Sequence, residues 1–174
     1  MKMKHLGKTV LDQTQIKTGV TDVSQQLNQK FEGQSGVVIT VVPGGIIFTA
    51  DLVRELTFDI SMDYISCPHS PGNKNNDSKI IFYQNIELEG KNVILVDDAI
   101  ESGGTMKRLT HYLNDSFKLK SLTIATLFVK KGRLGIPVTQ CYAYEIEGDE
   151  LLVGYGLPWN NQYRNIPYIS KLIK

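Results

Sequence analysis

The sequence has little of what marks a disulfide-rich, metal-clustered or membrane-spanning protein. Its two cysteines, Cys67 and Cys141, cannot build a disulfide framework, and neither lies in a Cys-x-x-Cys motif. Structural zinc is therefore disfavoured, and a reduced, cytoplasmic chain is expected. The most apolar stretch, residues 36–52, is interrupted at Pro43 and falls short of the roughly 20 apolar residues that cross a bilayer. We predict no membrane segment.

An excess of charge of one sign is also missing. Lysine and arginine number 19 against 18 aspartates and glutamates, which gives a formal net charge of +1. A dedicated nucleic-acid binder usually carries a strongly basic face, so this balance predicts no nucleic-acid partner. The net charge does not show where the charged residues lie, so a local basic pocket for a small anion is still compatible with it. The 174 residues correspond to one domain, which typically holds about 100–200 residues.

The apolar residues alternate between helix-like and strand-like patterns. Helical spacing predicts helices over residues 12–32, 46–56 and 105–113. Apolar runs and apolar–polar alternation predict strands over residues 37–42, 60–64, 79–83, 93–96, 122–129, 142–146 and 151–155. This order favours an α/β fold with a mainly parallel sheet flanked by helices, in which ligands bind beyond the carboxyl ends of the strands. Residues 67–78, rich in proline, glycine, asparagine and serine, predict a lid or binding loop.

The most informative segment, residues 93–106, joins a buried strand to a helix. The strand runs into Asp97 and Asp98, Glu101 follows, and the loop Ser102-Gly103-Gly104-Thr105 opens the helix. Glycines let backbone N–H groups approach an anion, and the helix N-terminus attracts negative charge, so this loop is suited to a phosphate. The carboxylates would repel phosphate and instead suit ribose hydroxyls or Mg²⁺. The alternative is an ordinary strand-to-helix turn with Ser102 as the N-cap and the acids in solvent.

This segment resembles the phosphoribosyl-pyrophosphate (PRPP) motif of the type I phosphoribosyltransferases, in which a hydrophobic strand leads into acids and a Ser/Thr-Gly-x-Thr loop. The rest of the chain is similar, in order, to the hypoxanthine-guanine phosphoribosyltransferase family. The segments that carry this similarity are Val42-Pro43-Gly44-Gly45 with the helix after it, Val129-Lys130-Lys131, residues 149–157 and residues 163–169. The resemblance implies the type I phosphoribosyltransferase fold, here as a single domain over residues 1–174. Its small C-terminal hood would be built mainly from the N-terminal segment and about residues 138–174.

The resemblance also implies a reaction and a set of site residues. Enzymes of this family serve purine salvage: with Mg²⁺ they transfer the phosphoribosyl group of PRPP to N9 of hypoxanthine or guanine, giving IMP or GMP and pyrophosphate. The family implies a catalytic role for Glu101, as the acid near purine N7 that takes a proton. The other implied roles are PRPP binding by Asp97, Asp98, Ser102, Gly103, Gly104 and Thr105; pyrophosphate binding by Pro43, Gly44, Gly45 and Arg164; purine binding by Lys130 and Tyr142; and metal binding by Asp149, Asp97 and Asp98. A homodimer or homotetramer is implied as well.

Several positions depart from the family pattern. Asp97-Asp98 stands where the family has Glu-Asp, and Glu101 stands where it has Asp, which moves the carboxylate by about one carbon–carbon bond. In the long loop, His69-Ser70 replaces a Ser-Tyr pair. The ring that stacks on the purine falls at Cys141 or Tyr142, and we choose Tyr142 because stacking needs a ring.

Pro43 stands where the family often has a lysine that follows a cis peptide bond. A cis bond costs about 0.5–1 kcal/mol before proline and about 2.5–4 kcal/mol before other residues. We therefore predict that the Val42–Pro43 bond is cis. The alternative is a proline that simply ends the preceding strand.

A rival function is a nucleotide-sensing regulator of the same fold that binds nucleic acid and catalyses weakly. The changes at Glu101 and in the long loop would permit it. The retained Lys130, Asp149 and Arg164, together with the near-zero net charge, favour the enzyme. Transfer to another nucleobase is a further alternative.

Overall fold

The computed structural model describes residues 5–68, 78–132 and 135–173. Its strands are β1 (Leu6–Leu11), β2 (Ser35–Val42), β3 (Asp59–Ser66), β4 (Asn92–Val96), β5 (Ala99–Ile100), β6 (Ser121–Lys130), β7 (Thr139–Ile146), β8 (Leu152–Val153) and β9 (Ile169–Leu172). Its helices are α1 (Gln13–Lys30), α2 (Ile46–Val53) and α3 (Gly104–Ser116). His69, Ser70 and most of the predicted lid at residues 67–78 lie outside the described residues.

The main sheet is built from parallel pairs. β2 pairs with β3 and with β4, and β4 pairs with β6. β5 and β7 both pair with Phe128 and Val129 of β6, so they occupy opposite edges of that strand. Buried side chains of α1 and α2 pack on one face of the sheet, and those of α3 pack on the other. The predicted parallel α/β sheet flanked by helices is confirmed.

Helix α1 shows how the sequence specifies this arrangement. Asp12 caps its N-terminus: the Asp12 carboxylate accepts from the Gln15 N–H at 2.8 Å, and the Gln15 side chain accepts from the Asp12 N–H at 2.9 Å. At Gly19, an added Cβ would come within 2.7 Å of the side chains of Leu127 and Tyr144. The helix therefore lies unusually close to the sheet. The apolar residues at helical spacing that predicted α1 are buried: Ile16, Val20, Val23 and Leu27.

Strand β3 is present as predicted, but of its alternating apolar residues only Ile60 packs against the core. Met62 and Tyr64 are 49% and 52% exposed, whereas Asp63 and Ile65 between and beside them are buried. The buried Asp63 carboxylate is satisfied locally, since it accepts from the backbone N–H of Asn85 at 2.8 Å and from the Asn85 amide at 3.0 Å. A polar residue can thus take the inner face of this edge strand.

The strand predicted over residues 79–83 is wrong. This segment makes a single antiparallel bridge, between Ile81 and Ser66, and no strand is assigned to it. Ile81 and Tyr83 remain 41% and 76% exposed. The apolar alternation of this segment therefore does not reflect burial in a sheet.

The hood is smaller than predicted. It is an antiparallel sheet in the order β1-β9-β8, so residues near both ends of the described chain meet there. β7, which the sequence placed in the hood, instead pairs with β6 in the main sheet from Thr139 to Ile146. Its ladder with β6 and its packing against α1 hold it there. The strands at 142–146 and 151–155 accordingly belong to different sheets. No helix within the described ranges is long and apolar enough to cross a membrane.

Candidate active site

An open cavity, with about 820 Å³ of empty space when the solvent at its mouth is included, lies at the carboxyl edge of the main sheet. It receives residues from the end of β4, the turn into α3, the turn after β2 and the C-terminal segment. The predicted site residues that line it are Pro43, Gly44, Asp97, Asp98, Glu101, Ser102, Gly103, Thr105 and Arg164. The polar groups selected from distant parts of the sequence thus converge on one cavity, as the rule for ligand sites in parallel sheets leads us to expect.

Asp97 and Asp98 lie where the chain leaves β4 and continues along β6. The Asp97 N–H donates to Ala125 O at 3.1 Å, and Asp98 O accepts from the Leu127 N–H at 3.1 Å. The two residues are 9% and 8% exposed. Burial raises the pKa of Asp97 well above its usual range, and the neighbouring Asp98 adds to the effect. Burial also raises the pKa of Asp98, to about 6, against the opposing effect of a hydrogen bond with Asp97. Such a pair is suited to a bound cation or to ribose hydroxyls, which would stabilise its charged form.

The loop after these acids leads directly into α3. Gly103 has a φ of 80°, in the left-handed region that favours glycine, and α3 begins at the next residue. The Gly104 N–H donates to Ser102 Oγ at 3.3 Å. The cavity therefore meets a helix N-terminus, whose backbone N–H groups and dipole attract an anion such as phosphate.

Glu101 lies between the end of β5 and this loop. Burial raises its pKa to about 7, Asp98 pushes the pKa in the same direction, and Lys130 opposes them. A carboxyl with a pKa near neutrality can take and return a proton, which an ordinary surface glutamate does poorly at neutral pH.

The turn after β2 forms another wall of the cavity. The Val42–Pro43 peptide bond is cis, as predicted. Gly44 lies against the acid pair, since an added Cβ would be 3.0 Å from Asp98 Oδ2. Gly45 does not line the cavity: an added Cβ there would come within 2.9 Å of the backbone of Val41, Val96 and Asp97. Gly45 is therefore a packing residue that lets this turn sit close to β4.

Lys130 and Asp149 do not line the cavity, although Lys130 acts electrostatically on Glu101. Lys130, at the end of β6, is only 7% exposed. Its Nζ donates to the carbonyl oxygens of Gly148 and Glu150 at 2.9 and 2.7 Å. These carbonyls flank Asp149, which is exposed. Lys130 thus fixes the turn that carries Asp149.

Tyr142 does not line the cavity. The prediction that its ring stacks on the purine is therefore wrong. Tyr142 pairs with Thr126 in the parallel ladder, whereas Lys130, at the carboxyl end of β6, pairs with Ile146. The Tyr142 hydroxyl donates to Glu145 at 2.9 Å. Cys141, the other choice, is buried in the core beneath α1. Among the described residues that line the cavity, none is aromatic.

Sequence reasoning missed the apolar wall of the cavity. Leu151, Leu152 and Leu157 line it from the C-terminal segment, and Ile100 and Met106 line it from the β5–α3 side. Gly154-Tyr155-Gly156, which precedes Leu157, was a usable signal. Both glycines have φ values above 100°, and paired glycines around one residue indicate a backbone that must turn sharply.

The chain is similar in sequence and in fold to known phosphoribosyltransferases. A model of the phosphoribosyl transferase domain matches residues 7–157. The hypoxanthine-guanine phosphoribosyltransferase of Staphylococcus aureus is 30% identical over 169 residues, covering 96% of this chain and 94% of that protein. The protein of the same description from Streptococcus thermophilus is 30% identical over 178 residues, with 99% and 96% covered. A crystal structure of a hypoxanthine-guanine phosphoribosyltransferase from Bacillus anthracis superposes with a TM-score of 0.82 at 32% identity, covering 98% of this chain and 99% of that one.

Proposed function

The chain belongs to the phosphoribosyl transferase domain family, and on that premise we propose that it transfers the phosphoribosyl group of PRPP to N9 of hypoxanthine or guanine in purine salvage. The observation that carries the proposal is the convergence of the acid pair, Glu101, the phosphate-suited loop and Arg164 on one cavity. The relatives with which the chain aligns over nearly its whole length are named for this reaction. None of these findings favours the nucleotide-sensing regulator considered from the sequence.

Each part of PRPP has a suitable partner in the cavity. The loop from Ser102 to Thr105, at the N-terminus of α3, would bind the 5′-phosphate. Asp97 and Asp98 would accept hydrogen bonds from the ribose hydroxyls. Arg164 would bind pyrophosphate beside the turn at Pro43 and Gly44. Its positive charge already opposes the rise that burial causes in the pKa of both aspartates.

In the reaction, the bond between ribose C1 and purine N9 forms while the bond between C1 and the pyrophosphate oxygen breaks. Glu101 would take the proton that the purine loses, because its raised pKa matches that of a base working near neutral pH. Negative charge develops on the departing pyrophosphate, and the fixed guanidinium of Arg164 would stabilise it.

The donors at this site fit Mg²⁺. Within the described residues no cluster of three or more His, Cys, Asp or Glu side chains could enclose a metal ion. Mg²⁺ in phosphate-handling enzymes is commonly held by one or two carboxylates together with substrate oxygens, and Asp97 and Asp98 supply such carboxylates. We propose that these two residues hold Mg²⁺ together with PRPP, without Asp149, which does not line the cavity. When bound, it would neutralise charge on the pyrophosphate group.

Lys130 would select for a 6-oxopurine. An ammonium group has three N–H donors, and the carbonyls of Gly148 and Glu150 take two of them. The third would donate to the purine 6-oxo group, which adenine lacks. The aliphatic side chains of Leu151 and Leu152 would pack against the base in place of an aromatic ring.

We also propose that the enzyme works in the cytoplasm as a homodimer or homotetramer. The exposed apolar side chains of Met62 and Tyr64 on the edge strand β3, with Ile81 and Tyr83 on the segment bridged to it, support self-association. Sedimentation velocity tests the oligomeric state: wild type should sediment as a dimer or tetramer, and the double variant Met62→Glu with Tyr64→Glu should sediment as a monomer. A wild-type chain that sediments as a monomer at micromolar concentration would contradict it.

The function is tested by supplying PRPP and Mg²⁺ with hypoxanthine, guanine, xanthine or adenine and following nucleotide formation by absorbance. We expect turnover with hypoxanthine and guanine and none with adenine. Absence of turnover with every base, together with retained nucleotide binding, would rule out the transferase. Turnover with adenine alone would rule out the role given to Lys130.

A further inference from the structure

A hydrogen bond outside the cavity joins the two elements proposed to bind pyrophosphate. Tyr155, in the C-terminal segment, is 5% exposed, and its hydroxyl donates to Asp51 Oδ2 at 2.6 Å. Neither residue lines the cavity. Asp51 lies on α2, the helix that begins directly after the turn at Pro43-Gly44-Gly45. The hydrogen bond therefore connects the C-terminal segment to the helix that carries this turn.

On the C-terminal side, the backbone around Tyr155 is tightly specified. Gly154, Tyr155 and Gly156 have φ values of 102°, 49° and 105°, so the segment turns sharply. An added Cβ at Gly156 would clash with Gly44 O and approach Asp98 Oδ2. The Arg164 guanidinium donates to Gly156 O at 2.6 Å, and the Gly156 N–H donates to Arg164 O at 3.0 Å. The residue next to Tyr155 thus touches the turn, the acid pair and the arginine.

On the side of Asp51, hydrogen bonds tie helix α2 to the turn at residues 43–45. The Thr49 N–H donates to Gly45 O at 2.8 Å, and the Gly45 N–H donates to Val41 O at 2.8 Å. The turn, the helix and the end of β2 are therefore one hydrogen-bonded unit. Burial raises the pKa of Tyr155 far above its usual range, and Asp51 adds to the effect, so the hydroxyl keeps its proton and remains a donor.

We propose that Tyr155 is a positioning residue, whose hydrogen bond to Asp51 sets the spacing between Arg164 and the turn at residues 43–45 for pyrophosphate. This inference rests on the proposed function. It concerns binding of the pyrophosphate group and leaves the chemistry at Glu101 and the purine contacts untouched. A lost hydrogen bond here should raise the KM for PRPP and weaken pyrophosphate binding, and should lower kcat to a smaller extent, because Arg164 also stabilises the departing pyrophosphate. The KM for hypoxanthine should stay unchanged.

The test compares Tyr155→Phe and Asp51→Ala, which remove the bond, with Asp51→Asn, whose amide oxygen can still accept. Arg54→Ala is the matched control. It breaks the Arg54–Asp51 ion pair, whose arginine side chain is 72% exposed, and leaves the Tyr155 bond in place. For the first two variants we expect about a tenfold rise in the KM for PRPP and in the Kd for pyrophosphate, with a smaller fall in kcat. Asp51→Asn and Arg54→Ala should stay close to wild type, and combining Tyr155→Phe with Asp51→Ala should add little.

Several results would overturn the inference. These are a Tm that falls while the KM for PRPP stays unchanged, an equal rise in KM for both substrates, or an Arg54→Ala variant as impaired as Tyr155→Phe. If Tyr155→Phe does not fold, Asp51→Ala against Asp51→Asn carries the comparison. Calorimetric titration with pyrophosphate needs no turnover. If wild type is inactive, the proposed function fails by itself, and the titration still decides whether the Tyr155 bond positions an anion site.

Discussion

Glu101 gives the sharpest test of the chemistry, because its environment sets the pH at which it can act. Burial, with Asp98 close by, raises its pKa to about 7. On that value, about a tenth of the molecules carry ionised Glu101 at pH 6 and about nine-tenths at pH 8. If the ionised form takes the purine proton, kcat/KM, which follows the ionisation of groups in the free protein, should rise nearly tenfold between pH 6 and pH 8 and then level off. Glu101→Gln should lower kcat by about 10²–10⁴-fold, the usual contribution of a general base.

The assay is a pH series of nucleotide formation from hypoxanthine and PRPP, with wild type and Glu101→Gln measured side by side. The substrate phosphate also titrates, with a pKa of about 6, and the variant keeps this contribution while losing that of Glu101. The expected difference is therefore a limb centred near pH 7 that is present only in wild type. A variant with the same limb, or one whose PRPP affinity falls as much as its kcat, would refute the base role of Glu101.

Further predictions concern stability and binding. The folded-state pKa of Glu101 lies above its unfolded value, so the folded state loses stability as pH rises from about 4.5 to 7. Glu101→Gln should therefore be more stable than wild type at pH 8, by on the order of 3 kcal/mol in urea unfolding, and the difference should vanish below about pH 4.5. Gly156→Ala should raise the KM for PRPP at least about tenfold, because φ is 105° and the Cβ clashes with Gly44 O; unchanged kinetics would contradict the close approach. Lys130→Met should lower stability by about 2–3 kcal/mol, since two hydrogen bonds from a charged donor to the carbonyls of Gly148 and Glu150 are lost. It should also weaken discrimination against adenine; a variant as stable and as selective as wild type would contradict both roles.

The fold was largely predictable because its main signals are local. The continuous apolar runs of β2 and β4 identify strands buried on both faces, and both strands are fully or almost fully buried apart from their ends. The spacing of the α1 residues identifies its buried side. Patterns that depend on partners elsewhere in the chain did worse. The alternation of Met62 and Tyr64 identified a strand but not the burial of Asp63 between them, which depends on hydrogen bonds from Asn85 in a distant segment.

The site residues that are contiguous in the sequence were also easier to predict than those that depend on distant partners. Residues 97–105 are contiguous, so one strand end, one glycine-containing turn and one helix start bring them together. Tyr142 could not be placed from the sequence, because its position depends on the register between β6 and β7. Likewise, Lys130 contacts the turn at residues 148–150, which lies 18–20 residues further along the chain. The local sequence around Lys130 does not indicate this contact.

One measurement tests the central claim most directly: the yields of IMP and pyrophosphate when the protein is incubated with hypoxanthine, PRPP and Mg²⁺, determined together by chromatography with mass detection. The account predicts that both products appear in equal amounts with wild type and that both nearly vanish with Glu101→Gln. Pyrophosphate released without IMP would mean that the cavity hydrolyses PRPP instead of transferring its phosphoribosyl group, and the absence of both products would mean that it does not catalyse this reaction.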